Sequence, residues 1–333
     1  MTSIASPTLW FITIGVVLAL LAVDFIATRR PHEVSMKEAI AWSAFYVALP
    51  LAFGLYVWNV HGGDRGLEYY TGYLVEKTLS VDNLFVFMLL LAAFAVPEVL
   101  KQRVLLYGII GALVLRGIFI ALGAAALSRF DWVFLVFGAI LLLTGVKLLR
   151  DAIRGQEHEV DVAEMRVVKV MRRFMPVTDD YEGAKFTVVK DGVRALTPFA
   201  LVTVAVFATD VVFAVDSVPA VYGITGDPYL VFVTNAFALL GLRALYFVLE
   251  GALGALAHLS YGLAAILGFI GFKLVLHWAH LVWPDVPDVP TLMSLFVILG
   301  ILAITITTSL VANRRTKAKA AAGLDEDEPV GSR

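Results

Sequence analysis

The chain has no cysteine, which excludes disulfides, thiolate metal sites and cysteine nucleophiles and says little about compartment. Charge is scarce too: Asp, Glu, Lys and Arg make up 16% of the 333 residues, against 60% apolar. A soluble protein of this length would intersperse its charges more evenly to solvate its surface. Here the apolar residues come in blocks of about 20, the length that crosses the hydrocarbon core at 1.5 Å per helical residue. The net charge of −2 points to no nucleic-acid partner. No Gly-rich phosphate loop, His-Glu-x-x-His helix or serine-nucleophile elbow is present, so an enzyme finds no support and no cofactor is expected. The N-terminus lacks a basic n-region, and its apolar stretch 7–27 is long enough to span, so it reads as a retained helix.

The pattern that is present is an all-α polytopic membrane bundle embedded in lipid. Hydropathy gives nine candidate spans, 7–27, 39–59, 70–95, 104–126, 132–149, 198–222, 229–249, 260–283 and 291–312. Lys and Arg follow the odd spans: Arg29, Arg30 and Lys37; Lys101 and Arg103; Arg150 and Arg154; Arg314, Arg315, Lys317 and Lys319. The loops after the even spans are poorer in both. By the positive-inside rule the N-terminus lies outside and the C-terminus in the cytoplasm. The sizeable soluble segment is 150–197. Within it, residues 165–175 read as a short basic surface helix, and 186–196, with Lys190-Asp191-Gly192 at the middle, as a small β-hairpin. The tail, 313–333, ends in an acidic run at Asp325 to Glu328 and reads as solvated and disordered.

An internal repeat organises the spans. Glu76-Lys-Thr-Leu-Ser-Val-Asp82-Asn83 aligns with Asp210-Val-Val-Phe-Ala-Val-Asp216-Ser217. The following spans match at Leu115-Arg116 and Leu242-Arg243, and the next at Gly138 to Lys147 and Ala264 to Lys273. Each unit holds three spans, so the second (198–283) enters from the side opposite to the first (70–149). Inverted repeats of this kind are common in secondary transporters, with the substrate site near midplane at the repeat interface. Residues 1–69 and 284–312 then form peripheral helices.

Four acids at bilayer depth would cost on the order of 10 kcal/mol if nothing offset them. Glu76, Asp82, Asp210 and Asp216 therefore need protons, basic partners or a bound cation, and Arg116, Arg243, Lys147 and Lys273 are at hand as counter-charges. Six residues rise about 9 Å along a helix. If the two motifs run antiparallel at one depth, Glu76 lies level with Asp216 and Asp82 with Asp210, giving two carboxylate layers. Six residues also rotate about 240°, so a straight helix would not aim both acids alike. Local unwinding at Pro219, which frees the carbonyl of Val215, would help. Carboxylate, the Asn83 amide and the Ser217 hydroxyl are hard oxygen ligands, suited to Mg²⁺, Ca²⁺ and Mn²⁺ alike.

Other polar residues read more plainly. His277 and His280, beside Trp278 and Trp283, suit a membrane interface. Asp24 lies near a membrane edge and reads as reaching water. Thr234 and Asn235 suit helix–helix hydrogen bonding.

At Glu76-Lys-Thr-Leu-Ser-Val-Asp-Asn-Leu-Phe-Val-Phe and Thr209-Asp-Val-Val-Phe-Ala-Val-Asp-Ser-Val-Pro-Ala the sequence closely resembles the TerC/Alx family of bacterial membrane proteins. The likeness extends through Pro176-Val-Thr-Asp-Asp-Tyr and Asp191-Gly-Val-Arg-Ala-Leu-Thr-Pro198. The resemblance implies an exporter of the bacterial inner membrane. It also implies manganese as the transported ion, since Alx-like members are linked to manganese export, while others carry a tellurium-resistance name. By the same resemblance the acidic motif positions fall on Glu76, Asp82 and Asn83, and on Asp210, Asp216 and Ser217. The expected function is therefore Mn²⁺ export through paired carboxylates, coupled to protons. The alternatives are another ion, such as Ca²⁺ or a tellurium oxyanion, and a non-transporting envelope-stress scaffold using the 150–197 loop. An oxyanion would need the arginines as ligands and leave four acids unexplained.

Overall fold

The computed structural model describes residues 3–27, 34–154, 165–190, 192–250 and 258–321. The order is α1 (Pro7–Ala27), α2 (Met36–His61), α3 (Gly63–Ala93), α4 (Glu98–Arg129), α5 (Trp132–Ile153), α6 (Arg166–Phe174), β1 (Thr187–Lys190), β2 (Val193–Leu196), α7 (Pro198–Tyr222), α8 (Pro228–Leu240), α9 (Leu242–Glu250), α10 (Leu259–Val282) and α11 (Thr291–Ala321). Local chemistry sets several of these starts. Ser35 accepts from the Glu38 amide at 3.3 Å and opens α2 with a Ser-x-x-Glu box. Thr197 and Asp227 cap α7 and α8, each followed by a proline whose missing N–H costs nothing in the first turn.

The protein is a polytopic helical membrane protein. Among the described residues, seven helices are long and apolar enough to cross a membrane, and α8 with α9, bent by 43°, makes an eighth if taken as one span. The expected ninth is α3. It has the length, 31 residues, but Asp64, Arg65, Glu68, Glu76, Lys77 and Asp82 make it too charged to qualify on composition. The expected seventh span is the bent pair, with Gly241 at the break. The last helix runs past its expected end at 312 to Ala321, so residues 313–321 are helical; the acidic run lies outside the described residues.

Packing puts the charge-bearing helices inside. α8 is buried along nearly its whole length, and α3, α4 and α7 pack around it. α1, α2 and α11 stay mostly exposed, with apolar side chains such as Phe11 and Phe296 outward, as a lipid-facing surface requires. α5 and α10 form the closest pair. A Cβ on Gly138 would stand 2.8 Å from the Gly271 carbonyl oxygen, and one on Gly271 2.9 Å from that of Gly138. A Cβ on Gly145 would stand 3.1 Å from the Ala264 carbonyl oxygen, so glycine is required for this approach.

The soluble segment folds much as its turn chemistry predicts. β1 and β2 pair antiparallel with Lys190 opposite Val193, and Gly192 takes φ +77° in the two-residue turn; Asp191 lies outside the described residues. The Tyr181 hydroxyl donates to the Phe94 carbonyl at 2.8 Å, tying this segment to the end of α3. Burial pushes that phenol up to about 12, so it stays a donor at neutral pH.

Candidate functional site

The charge-bearing helices place the motif acids in two different settings. The first is a closed network around Arg116 of α4, which is fully buried. Its Nη1 donates to Glu76 Oε1 and, at 2.9 Å, to Asn235 Oδ1. Its Nη2 and Nε donate to the two oxygens of Asp210 at 3.0 and 3.3 Å. Asn83, with its amide oxygen turned to the guanidinium, accepts the remaining Nη2 proton at 3.2 Å and donates to the Leu79 carbonyl. All five guanidinium protons are thus used, which is the condition for holding such a group in low dielectric. The bidentate fork to Asp210 and the bond to Glu76 tie α3, α4 and α7 together at this point. Among the described residues, Glu76 Oε2, Ser80 Oγ and Ser217 Oγ have no hydrogen-bond partner.

The second setting is a cavity of about 570 Å³ between α3, α5 and α7, lined by Asp82, Asn83, Thr144, Lys147, Asp216 and Ser217. Asp82 and Asp216 are half-buried, in contrast to the fully buried Glu76 and Asp210. Thr144 donates to Asp216 Oδ1 at 2.9 Å, and Lys147 is close enough to attract that carboxylate. The Asp82 and Asp216 carboxylates and the Thr144 hydroxyl are oxygen groups of the type that hard cations take as ligands, with the Ser217 hydroxyl buried behind them. Among the described residues no group of three or more His, Asp or Glu is placed to hold a metal, so an ion here would draw on two carboxylates and neutral oxygens.

The contacts therefore group the acids by helix face rather than by depth. Glu76 and Asp210 share Arg116, while Asp82 and Asp216 share the cavity. The reason is the helical rotation itself. The expected unwinding at Pro219 does not occur: α7 is continuous to Tyr222, and Pro219 stands in its final turn, where its missing bond does not interrupt the helix between the two acids. With α3 also unbroken, the rotation of about 240° sends the first acid of each motif into the bundle and the second towards the cavity.

The other basic residues divide. Arg243 does not reach the motif acids; it donates to both oxygens of Asp24, at 2.8 and 3.2 Å, and to Gln102 Oε1 at 3.2 Å. Asp24 is correspondingly buried, 1% exposed, and does not reach water as expected, because α1 lies close enough to the bundle for Arg243 to claim it. Lys273 bonds Ser294 of α11 at 3.0 Å. His277 contacts Asp288 at 2.8 Å and His280 the Val286 carbonyl at 2.6 Å, both at the end of α10 beside the Trp278–Trp283 pair. Thr234 bonds carbonyls of its own helix. Asn235, read as a helix–helix hydrogen-bonding residue, bonds Arg116 across α8 and α4; Thr144 and Gln102 are the polar partners that sequence reasoning missed. Thr144 is an isolated polar residue in an apolar helix, a signal that marks buried bonding without naming the partner, and Gln102 is masked by its charged neighbours Lys101 and Arg103.

Comparison with known proteins agrees with the helical membrane architecture. The family model "Integral membrane protein TerC family" matches residues 61–317. An uncharacterised membrane protein of Myxococcus xanthus is 43% identical over 275 residues, covering 82% of this chain and 85% of its own length. Alx of Escherichia coli K12, named as a candidate membrane-bound redox modulator, is 41% identical over 286 residues, 83% of this chain and 88% of its own. A Mycobacterium tuberculosis membrane protein is 41% identical over 277 residues, 83% of this chain and 70% of its own. No solved structure matches. With its model matched from the end of α2 into α11, this chain belongs to the integral membrane protein TerC family.

Proposed function

We propose that this chain exports a divalent cation, Mn²⁺, across the bacterial inner membrane, with the N-terminus outside and the C-terminus in the cytoplasm. The observation that carries the reading is the division of the acids. Arg116 pairs with both inner acids, while Asp82 and Asp216 face a shared oxygen-lined cavity. The ion binds there, with Asn83, Thr144 and Ser217 as neutral ligands, and Arg116 holds α3, α4, α7 and α8 together around the site. α3, long enough to span, is the ninth crossing.

The inverted repeat supports the transport reading. In the repeat alignment Gly138 corresponds to Ala264 and Gly145 to Gly271. Exchanging the units turns the Gly138–Gly271 contact into Ala264–Gly145, which is the second close contact of α5 with α10. The packing of α4 on α7 likewise maps onto that of α8 on α3. A two-fold relation within the membrane would let one unit rock against the other about this seam. Proton countertransport completes the proposal; indifference of vesicle Mn²⁺ flux to a pH gradient would remove it.

The redox description that Alx carries is compatible with this reading. Without cysteine the chain has no thiol couple of its own, and a redox effect would follow from the metal moved. A deletion strain complemented with Asp82→Ala or Asp216→Ala tests the site through manganese sensitivity and cell manganese content. Both variants should fail to restore wild-type levels; if both restore them, the site is misassigned.

A further inference from the structure

The short helix α6 has a surface that ion transport leaves unused. Its residues at 100° steps place Val170, Phe174, Val167 and Met171 on one stripe, and Arg172, Lys169 and Arg173 on the other. Only part of that stripe is covered by the protein. Val167 lines the cavity that holds Asp82 and Asp216, as does Met165 just before the helix, and Val168, beside the stripe, is fully buried. Val170 and Phe174 stand open, 53% and 79% exposed, beside exposed Lys169 and Arg173.

We propose that this open flank of α6 is a docking surface for anionic phospholipid, with Val170 and Phe174 entering the headgroup–acyl boundary and Lys169, Arg172 and Arg173 taking the headgroup charge. Two observations select this occupant. α6 packs on the membrane-spanning helix α7, which presents Val215 outward while Val212 lines the cavity, so the apolar flank lies beside a helix that crosses the bilayer. The flanking charges in the described part of α6 are all basic, the complement of an anionic leaflet. A helix seated this way pins Met165 and Val167 at the cavity, so lipid charge would set how the cavity is held on this side.

The absence of native cysteine makes the test clean, because Phe174→Cys supplies a single labelling site on the full chain. The label is read in nanodiscs of phosphatidylcholine with and without phosphatidylglycerol, using brominated acyl chains and aqueous iodide as opposing quenchers. Brominated lipid should quench the label in the anionic discs and iodide should not. Adding Lys169→Gln, Arg172→Gln and Arg173→Gln should reduce the ratio of lipid-seated to water-exposed label by roughly fivefold per charge. Full iodide quenching in both discs would overturn the proposal and favour a soluble protein partner. Lipid quenching that ignores both phosphatidylglycerol and the three charges would overturn the anionic part of it. Neither readout depends on ion flux, so failure here and failure of the transport reading are separable.

Discussion

Replacing Arg116 with methionine removes the one cation that Glu76 and Asp210 share while nearly preserving side-chain volume. The two carboxylates are 0% and 1% exposed, so neither can turn to water without opening the bundle. Removing one partner of a buried ion pair costs about 3–5 kcal/mol, because the remaining charge is left uncompensated. That is a factor of at least about 100 in the folding equilibrium. Arg116→Met alone should therefore unfold at markedly lower temperature or denaturant in detergent. Combining it with Glu76→Gln and Asp210→Asn removes the stranded charges, and most of the loss should be recovered. The assay is thermal unfolding by size-exclusion fluorescence for wild type, single and triple variants, with lipid-facing Leu143→Ala as a control. If Arg116→Met costs no more than Leu143→Ala, or if the triple variant is no better than the single one, the network does not hold the bundle as argued.

The same logic reaches other positions. Asp24→Leu strands Arg243 and should cost about 3–5 kcal/mol in the same unfolding assay, with Asp24→Leu/Arg243→Met largely restored. Gly271→Ala drives a Cβ to 2.9 Å from the Gly138 carbonyl oxygen; overpacking of about 1–3 kcal/mol should lower the unfolding midpoint, whereas Gly300→Ala, with open space around it, should not. Thr144→Val deletes the bond to Asp216 at constant shape; loss of a charge-assisted bond of about 1.5–3 kcal/mol should lower the unfolding midpoint, and Mn²⁺ binding measured by calorimetry should weaken as the hydroxyl ligand is lost.

Legibility varied with the physics involved. Span positions followed from apolar run length alone, so most helices fall where hydropathy puts them. α3 lies there too, although its charges keep it from qualifying on composition; the exception is the seventh span, which breaks at Gly241 into α8 and α9. Arg116 stood out as a counter-charge because an arginine in an apolar helix must have a partner. Its partners were not legible, since Asn235 and Asp210 lie far off in the chain and meet it through packing. Pro219 suggested an unwound helix because the residue type was weighed without its distance from the helix end. Asp24 suggested an edge residue because hydropathy places a residue along a span and says nothing of which helix it faces. The rotation of about 240° between the acids was visible in their spacing. Kept without the added unwinding, it leads directly to the division between the Arg116 network and the cavity.

Crystals or grids of the full chain soaked with Mn²⁺ measure the central claim most directly, through anomalous scattering at the manganese edge or difference density. The account predicts one peak in the cavity of about 570 Å³, bridging Asp82 and Asp216 and lost in Asp216→Asn. A peak at the Glu76–Arg116–Asp210 network, or none in the cavity at saturating Mn²⁺, would contradict it.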